Sequence, residues 1–374
     1  MPEWPIWIGG LLLFIFILSA TIAIHEAGHM VAAKKLGLQV PQYSIGFGPS
    51  IWSRKGKSTE YHIRAIPLGG FVLIEDATQP EKSYERGALS LVKPWKRQIV
   101  FVAGPAVNIV LGIVLLMVGL MGFPYQAGTN VVDRLQTCDL GWCAAEGVGM
   151  LPGDTIISID GSPIANLEDI TTAKAGKESI AVIIDRAGEE LEFVVPLGTE
   201  RSVMGVFMAT GEAWRTIPQA WSFVTFTIEK NIESLIHLPE KVVPVAQSIV
   251  TGERPDDAPG SIVSVGKNYG DMAIAEHEFW YEKIYMYVIY TALLNIAIGA
   301  INLLPFFLPL DGGRMFIAFM DSCRMAWAKM RKRAYEPVGK STYFALASVT
   351  SIFVFGFMAM VILSDFSLIF HGNL

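Results

Sequence analysis

Four long apolar runs constrain this 374-residue chain more than any other feature of it. They occupy residues 6–24, 99–121, 285–304 and 343–363. Each has roughly 20 residues, and a helix of that length crosses a hydrocarbon core of about 30 Å. Thr21, Asn108, Asn295 and Asn302 interrupt the runs with polar groups. Four core helices of such length would nonetheless be foreign to a soluble fold. The composition agrees, being 52% apolar and 17% charged, where soluble domains carry about 25% charged residues. The one charged residue before the first run is Glu3, so a basic start is lacking, and no small-residue cleavage site stands before His25. A retained helix is therefore expected there, not a secretory signal.

Charge sets the expected orientation. Residues 25–97 hold 11 Lys and Arg, and residues 307–340 hold 7. Residues 122–280 hold 10 against 23 Asp and Glu. The positive-inside bias places the two basic segments in the cytoplasm and the acidic one outside. With four spans, both termini then lie outside as well.

Between the spans the pattern changes period. Helical character continues past the first span to Gly37, a natural stop. Tyr43 to Gly48, the basic turn Arg54-Lys55-Gly56-Lys57, and Glu60 to Ile66 read as hairpin strands. Pro67-Leu68-Gly69-Gly70 extends them with a bend suited to an edge strand. Residues 128–198 read as a compact mixed unit. There Pro152-Gly153 leads into a strand ending at Asp160-Gly161, and a closing hairpin turns at Ala187-Gly188. Trp214, Ile217, Trp221, Val224 and Ile228 form an apolar stripe of helical spacing. That stripe suits a helix on the membrane surface or one packed on the outer domain. Cys138 and Cys143, on the outer side, are either a local disulfide or two free thiols.

The sharpest chemical signal is His25-Glu26-Ala27-Gly28-His29. Two histidines four apart share one helix face, so both imidazoles reach one zinc ion. Glu26 beside the first ligand can take the proton from a water activated there, for attack on a peptide carbonyl. Such groups at the end of an apolar helix are expensive to keep without a use. Asp311, in Leu310-Asp311-Gly312-Gly313-Arg314, stands at the cytoplasmic end of the third span and is the expected third ligand. A local unwinding of the helix would carry it; the alternative is an N-cap for a helix over 312–332. Pro305 and Pro309 break regular helix, which a bilayer tolerates only at protein or water-filled cavities. Asn302 either fixes substrate or a neighbouring loop, or caps the broken helix. The strand over 63–72 either adds extended substrate to its edge or plugs the cytoplasmic mouth.

These segments together resemble the site-2 protease family of intramembrane zinc metalloproteases, in its bacterial members with an inserted PDZ domain. The resemblance rests on His25 to His29, Gly46-Phe47-Gly48, Ala65 to Val72, Phe101 to Asn108, and Asn302 to Gly313. It implies a polytopic α-helical membrane protein with four transmembrane helices, a membrane-associated β-hairpin and an inserted PDZ-like mixed α/β domain. It further implies one zinc ion on His25, His29 and Asp311, with Glu26 as base. Asn302 and the strand residues Ile66, Pro67, Leu68, Gly69 and Gly70 would receive substrate. Asn108, Gly46, Gly48 and Pro305 would support the site.

The implied parts along the chain are a first transmembrane helix (1–37), the hairpin region and linker (38–96) and a second helix (97–123). A PDZ-like domain (124–202) and an extracytoplasmic linker with an amphipathic helix (203–280) follow. The third span with its cytoplasmic helix (281–340) and the fourth span with the tail (341–374) complete the chain. The implied partners are single-pass transmembrane substrates, the lipid bilayer of the bacterial inner membrane and an extracytoplasmic protease making a first cut; no nucleic acid is expected. The family's members cut membrane-bound anti-sigma factors, releasing sigma factors in regulated intramembrane proteolysis, or clear remnant signal peptides. A transporter, the main rival, would spread ionisable groups through several spans and show internal symmetry. A non-catalytic metal-binding scaffold would close the metal's fourth position with a further ligand.

Overall fold

The computed structural model describes residues 4–74, 92–136, 144–197, 204–253, 259–276, 279–334, 338 and 340–371. Cys138 and Cys143 lie outside the described residues. The chain divides into two compact units, one running to Leu120 and resuming at Ile217, the other Met121–Thr216.

In the first unit, α1 (Trp4–Lys35) carries the first apolar run through the histidine pair without interruption. It stops where Gly37 takes a positive φ of 78°, the left-handed geometry that ends helices cheaply. Then come β1 (Gln42–Lys55), β2 (Glu60–Leu73) and α2 (Pro94–Gly122). In the second unit, β3 (Tyr125–Leu135), α3 (Ala144–Gly147), β4 (Thr155–Ile159), β5 (Ser162–Pro163), α4 (Leu167–Lys174), β6 (Ser179–Arg186), β7 (Glu189–Pro196) and β8 (Val206–Ala213) follow in order. The chain returns to the first unit as α5 (Ile217–Ile236), α6 (Leu238–Thr251), α7 (Ile262–Ile274), α8 (Trp280–Asn302), α9 (Asp311–Met330) and α10 (Lys340–His371). Among the described residues, four helices are long and apolar enough to span a membrane: α1, α2, α8 and, from Phe344, α10.

The strand pair β1 and β2 holds more than one hairpin. Residues 50–55 pair antiparallel with 60–64 around the expected turn. Residues 42–45 pair with 60–63 in parallel and with 70–73 antiparallel. Both strands therefore bend and double their pairing. The bend in β1 falls at Gly46 and Gly48, with φ of 84° and 82°, and that in β2 at Gly69, with φ of 113°. Only glycine adopts such values without strain. A Cβ at Gly46 would also lie 2.6 Å from the Ile66 carbonyl oxygen. Among the described residues, segment 70–73 pairs on one side only, with 42–45.

The apolar stripe divides. Trp214 precedes α5, Ala220, Val224 and Thr227 bury against α8, and Ile217 and Trp221 stay exposed. The helix thus packs on a span of its own unit.

The second unit is a sheet of order β7-β6-β4-β3-β8, with β5 paired to β4. Alternating residues of β4 and β6, among them Ile156, Ile180, Val182 and Ile184, fill its core with Met150 and Val195. The β6–β7 turn uses Ala187 and Gly188, both at positive φ. Asp154, buried at the start of β4, accepts both prongs of Arg186 at 2.7 and 2.8 Å and the Leu151 N–H at 2.8 Å. Burial pushes the Asp154 carboxyl up, but these bonds outweigh it and hold the group below its usual 3.8. A lowered folded pKa stabilises the sheet fully above the unfolded value and loses that stability as pH falls through the folded one. Amide-exchange protection of Ile156 and Ile184 in the full chain is therefore expected to fall once pH drops below about 4. An Asp154→Asn variant, lacking the titrating group, should show weaker protection at neutral pH and lose that acid step.

Candidate metal centre

The site is built from three helices, two of which, α1 and α2, approach backbone to backbone. His25 and His29 lie one turn apart on the buried side of α1. α2 crosses them at Gly104: a Cβ there would lie 2.7 Å from His29 Cε1, 2.9 Å from His25 Nε2, and closer still to His29 Nε2. Gly28 of α1 meets α2 in the same way, its missing Cβ falling 2.6 Å from the Ala103 carbonyl oxygen. Glycine at both positions lets the imidazoles occupy the space between the helices.

α9 delivers the third group. Asp311 is its first residue, after Leu310 in extended backbone. The sequence suggests an aspartate on an unwound segment or at the N-cap, and here the fold differs. Gly312 and Gly313 serve packing instead. Their missing Cβ atoms would fall 2.5 Å from the Leu303 carbonyl oxygen and 2.5 Å from the Leu308 nitrogen, so α9 begins directly against the loop leaving α8. Pro305 lies exposed in that loop.

The three side chains converge. Asp311 Oδ2 lies 3.0 Å from His25 Nε2 and 3.0 Å from His29 Nε2, and the two nitrogens are 3.2 Å apart. All three residues are buried. A tetrahedral zinc with ligands near 2.0 Å would separate them by about 3.3 Å, so the triangle fits such an ion. Three potential ligand atoms packed this closely away from water are suited to share a cation.

The outer nitrogens fit the same role. The His29 Nδ1–H donates to the Val100 carbonyl at 2.7 Å, which leaves Nε2 as the ligand atom. On the other ring, Asn108 of α2 places its amide nitrogen 3.3 Å from His25 Nδ1, and its amide oxygen has no partner among the described residues. Exchanging oxygen and nitrogen of that amide satisfies the orphan: the oxygen accepts the Nδ1–H and again frees Nε2. Asp311 Oδ1 faces Arg314 at 3.9 Å.

Glu26, half-buried, points toward β2, where a Cβ on Gly70 would stand 3.5 Å from Glu26 Cγ. The Ser19 hydroxyl donates to the Pro67 carbonyl, so β2 lies along α1 beside the motif. Ile66, Pro67 and Leu68 are exposed. Asn302 stands apart. Its amide donates to the Ile298 carbonyl at 3.0 Å, and among the described residues it bonds neither to the triangle nor to β2.

Gly104 is the residue that motif reasoning passes over, because it acts by what it lacks. Gly104→Ala is expected to cut metal affinity by at least the 10–100-fold typical of disturbed ligand support. Gly122→Ala, on the same helix with open space around it, should leave bound metal unchanged. Metal content of the purified variants checks both.

Comparison with known proteins agrees with this geometry. The model of peptidase family M50 matches residues 13–349. The chain is 28% identical over 400 residues to the zinc metalloprotease Rip1 of Mycobacterium tuberculosis strain H37Rv, covering 96% of this chain and 97% of that protein. It is also 28% identical over 406 residues to zinc metalloprotease Rip1 of Mycolicibacterium smegmatis, covering 95% and 97%. With the match extending over most of its length and both halves of the metal centre inside it, this membrane-spanning chain belongs to peptidase family M50.

Proposed function

We propose that the chain is a zinc-dependent endopeptidase working within the membrane on single-pass proteins, cutting in or beside their transmembrane segments. The observation that carries this is the buried His25–His29–Asp311 triangle at the junction of apolar helices, with Glu26 one residue from the first ligand. The naming of the relatives as zinc metalloproteases supports zinc as the ion. Bound zinc would polarise the scissile carbonyl and acidify the attacking water.

The chain's own residues do the rest. His25, His29 and Asp311 hold the ion, and Asn108 and Val100 orient the two rings through their outer nitrogens. Glu26 takes the proton of the attacking water and returns it to the leaving amine. A substrate helix hides its carbonyls in its own hydrogen bonds and must be extended to be cut. The 70–73 edge, beside Glu26, offers unpaired backbone groups to an extended chain. Ile66, Pro67 and Leu68 lead into that edge, and the glycine bends at Gly46, Gly48 and Gly69 shape it. Asn302, at the end of α8, is read as a further substrate contact, and Pro305 as the break that ends that helix before Asp311.

The basic segments 25–97 and 307–340 support a centre near the cytoplasmic face of a bacterial inner membrane, with both termini and the inserted unit outside. The inserted sheet is read as a PDZ-like sieve that admits substrates after a first outer cut, as in regulated intramembrane proteolysis.

Glu26→Gln is expected to retain zinc but lower cleavage of a reconstituted single-pass substrate by about 10²–10⁴-fold. His25→Ala or Asp311→Ala should lose both zinc and cleavage. Cleavage by Glu26→Gln at the native rate would refute the assignment.

A further inference from the structure

α9 has two unlike faces. The inner one carries Ala318 and Asp321, both buried. Asp321 is tied twice: Arg97 Nη1 reaches its Oδ2 at 3.4 Å, and the Val338 N–H donates to its Oδ1 at 2.9 Å. Arg97 stands in the first turn of α2, and Val338 two residues before α10. Asp321 therefore sits at the level where two spans begin. Ten residues earlier, about 15 Å along the helix, Asp311 meets His25 and His29 inside a third span. These ties place the middle turns of α9 beside the starts of α2 and α10.

The outer face is apolar at that depth. Phe319, Met320, Cys323, Trp327 and Met330 recur at one-, three- and four-residue steps and cover an arc of about 100°. All are exposed, Trp327 by 55% and Met330 by 70%. One margin of the arc is cationic. The Arg331 guanidinium lies 4.4 Å over the Trp327 ring, and Lys329, Lys332 and Arg333 are its near neighbours in sequence. No acidic residue occurs in 322–334.

We propose that α9 is a headgroup-level helix that binds anionic phospholipid, bedding its apolar arc at the acyl boundary and holding the lipid phosphate with Arg331 and its basic neighbours. Aromatic and aliphatic side chains at the boundary, with arginine stacked over the indole, match that partner in both polarity and charge. A neutral leaflet would leave the cations unmatched, and water alone would leave the arc bare. The inference stands apart from the peptidase assignment, since it uses neither the metal nor Glu26. It also gives the helix that begins at Asp311 an anchor in the lipid.

Two measurements on the reconstituted full chain test it. The emission difference between the native protein and Trp327→Phe isolates Trp327. In bilayers with brominated acyl chains that signal should be quenched, and aqueous iodide should not reach it. Spin-labelled phosphatidylglycerol should be preferred over spin-labelled phosphatidylcholine. The triple variant Arg331→Gln, Lys332→Gln, Arg333→Gln leaves the inner face intact and should lower that preference by about fivefold or more. Iodide quenching of Trp327 would overturn the proposal, and so would a lipid preference unchanged in the triple variant.

Discussion

One carboxylate oxygen closes the centre of this molecule. Asp311 Oδ2 reaches two imidazole nitrogens carried 282 and 286 residues earlier in the chain. Three such groups buried together at the end of a span cost several kcal/mol unless opposite charge offsets the lost hydration. The surrounding architecture follows from meeting that requirement. α1 supplies the nitrogens, α9 supplies the oxygen, and α2 crosses beside the imidazoles with glycine where a side chain would clash with them.

That close approach explains why the small residues cluster where they do. Gly28 and Gly104 bring α1 and α2 into backbone contact, while Gly312 and Gly313 seat α9 on the loop from α8. Interiors packed at this density transmit displacement instead of absorbing it. The ion pair of Arg97 with Asp321 steadies α9 further along. Glu26, the proposed base, comes from the same turn as His25 and His29, so its placement needs no separate element.

Much of this was legible in the residues, and the reasons are physical. A helix places residues four apart on one face, so the His25–His29 spacing alone implies a shared ion. The position of Asp311 at the end of a span implies its depth. What was not legible depends on partners distant in sequence. Gly104 earns its place through imidazoles 75 and 79 positions away, and glycine in an apolar run carries no mark of what it must avoid. The doubled pairing of β1 and β2 turns on positive φ at Gly46, Gly48 and Gly69, where a simple hairpin satisfies the same alternation. Asp311 looked like a residue of an unwound segment, because Gly-Gly usually signals flexibility; here the glycines allow contact and the helix starts at once. Asn302 bonds back to Ile298 within its own helix.

The central claim is that His25, His29 and Asp311 ligate one ion while leaving a coordination position open. X-ray absorption at the zinc edge of the purified chain tests it most directly. The account predicts two imidazole nitrogens and light oxygen ligands near 2.0 Å, with the imidazole scattering reduced in His29→Ala and the metal lost or its shell altered in Asp311→Ala. A thiolate shell near 2.3 Å, or a spectrum that neither substitution changes, would contradict it.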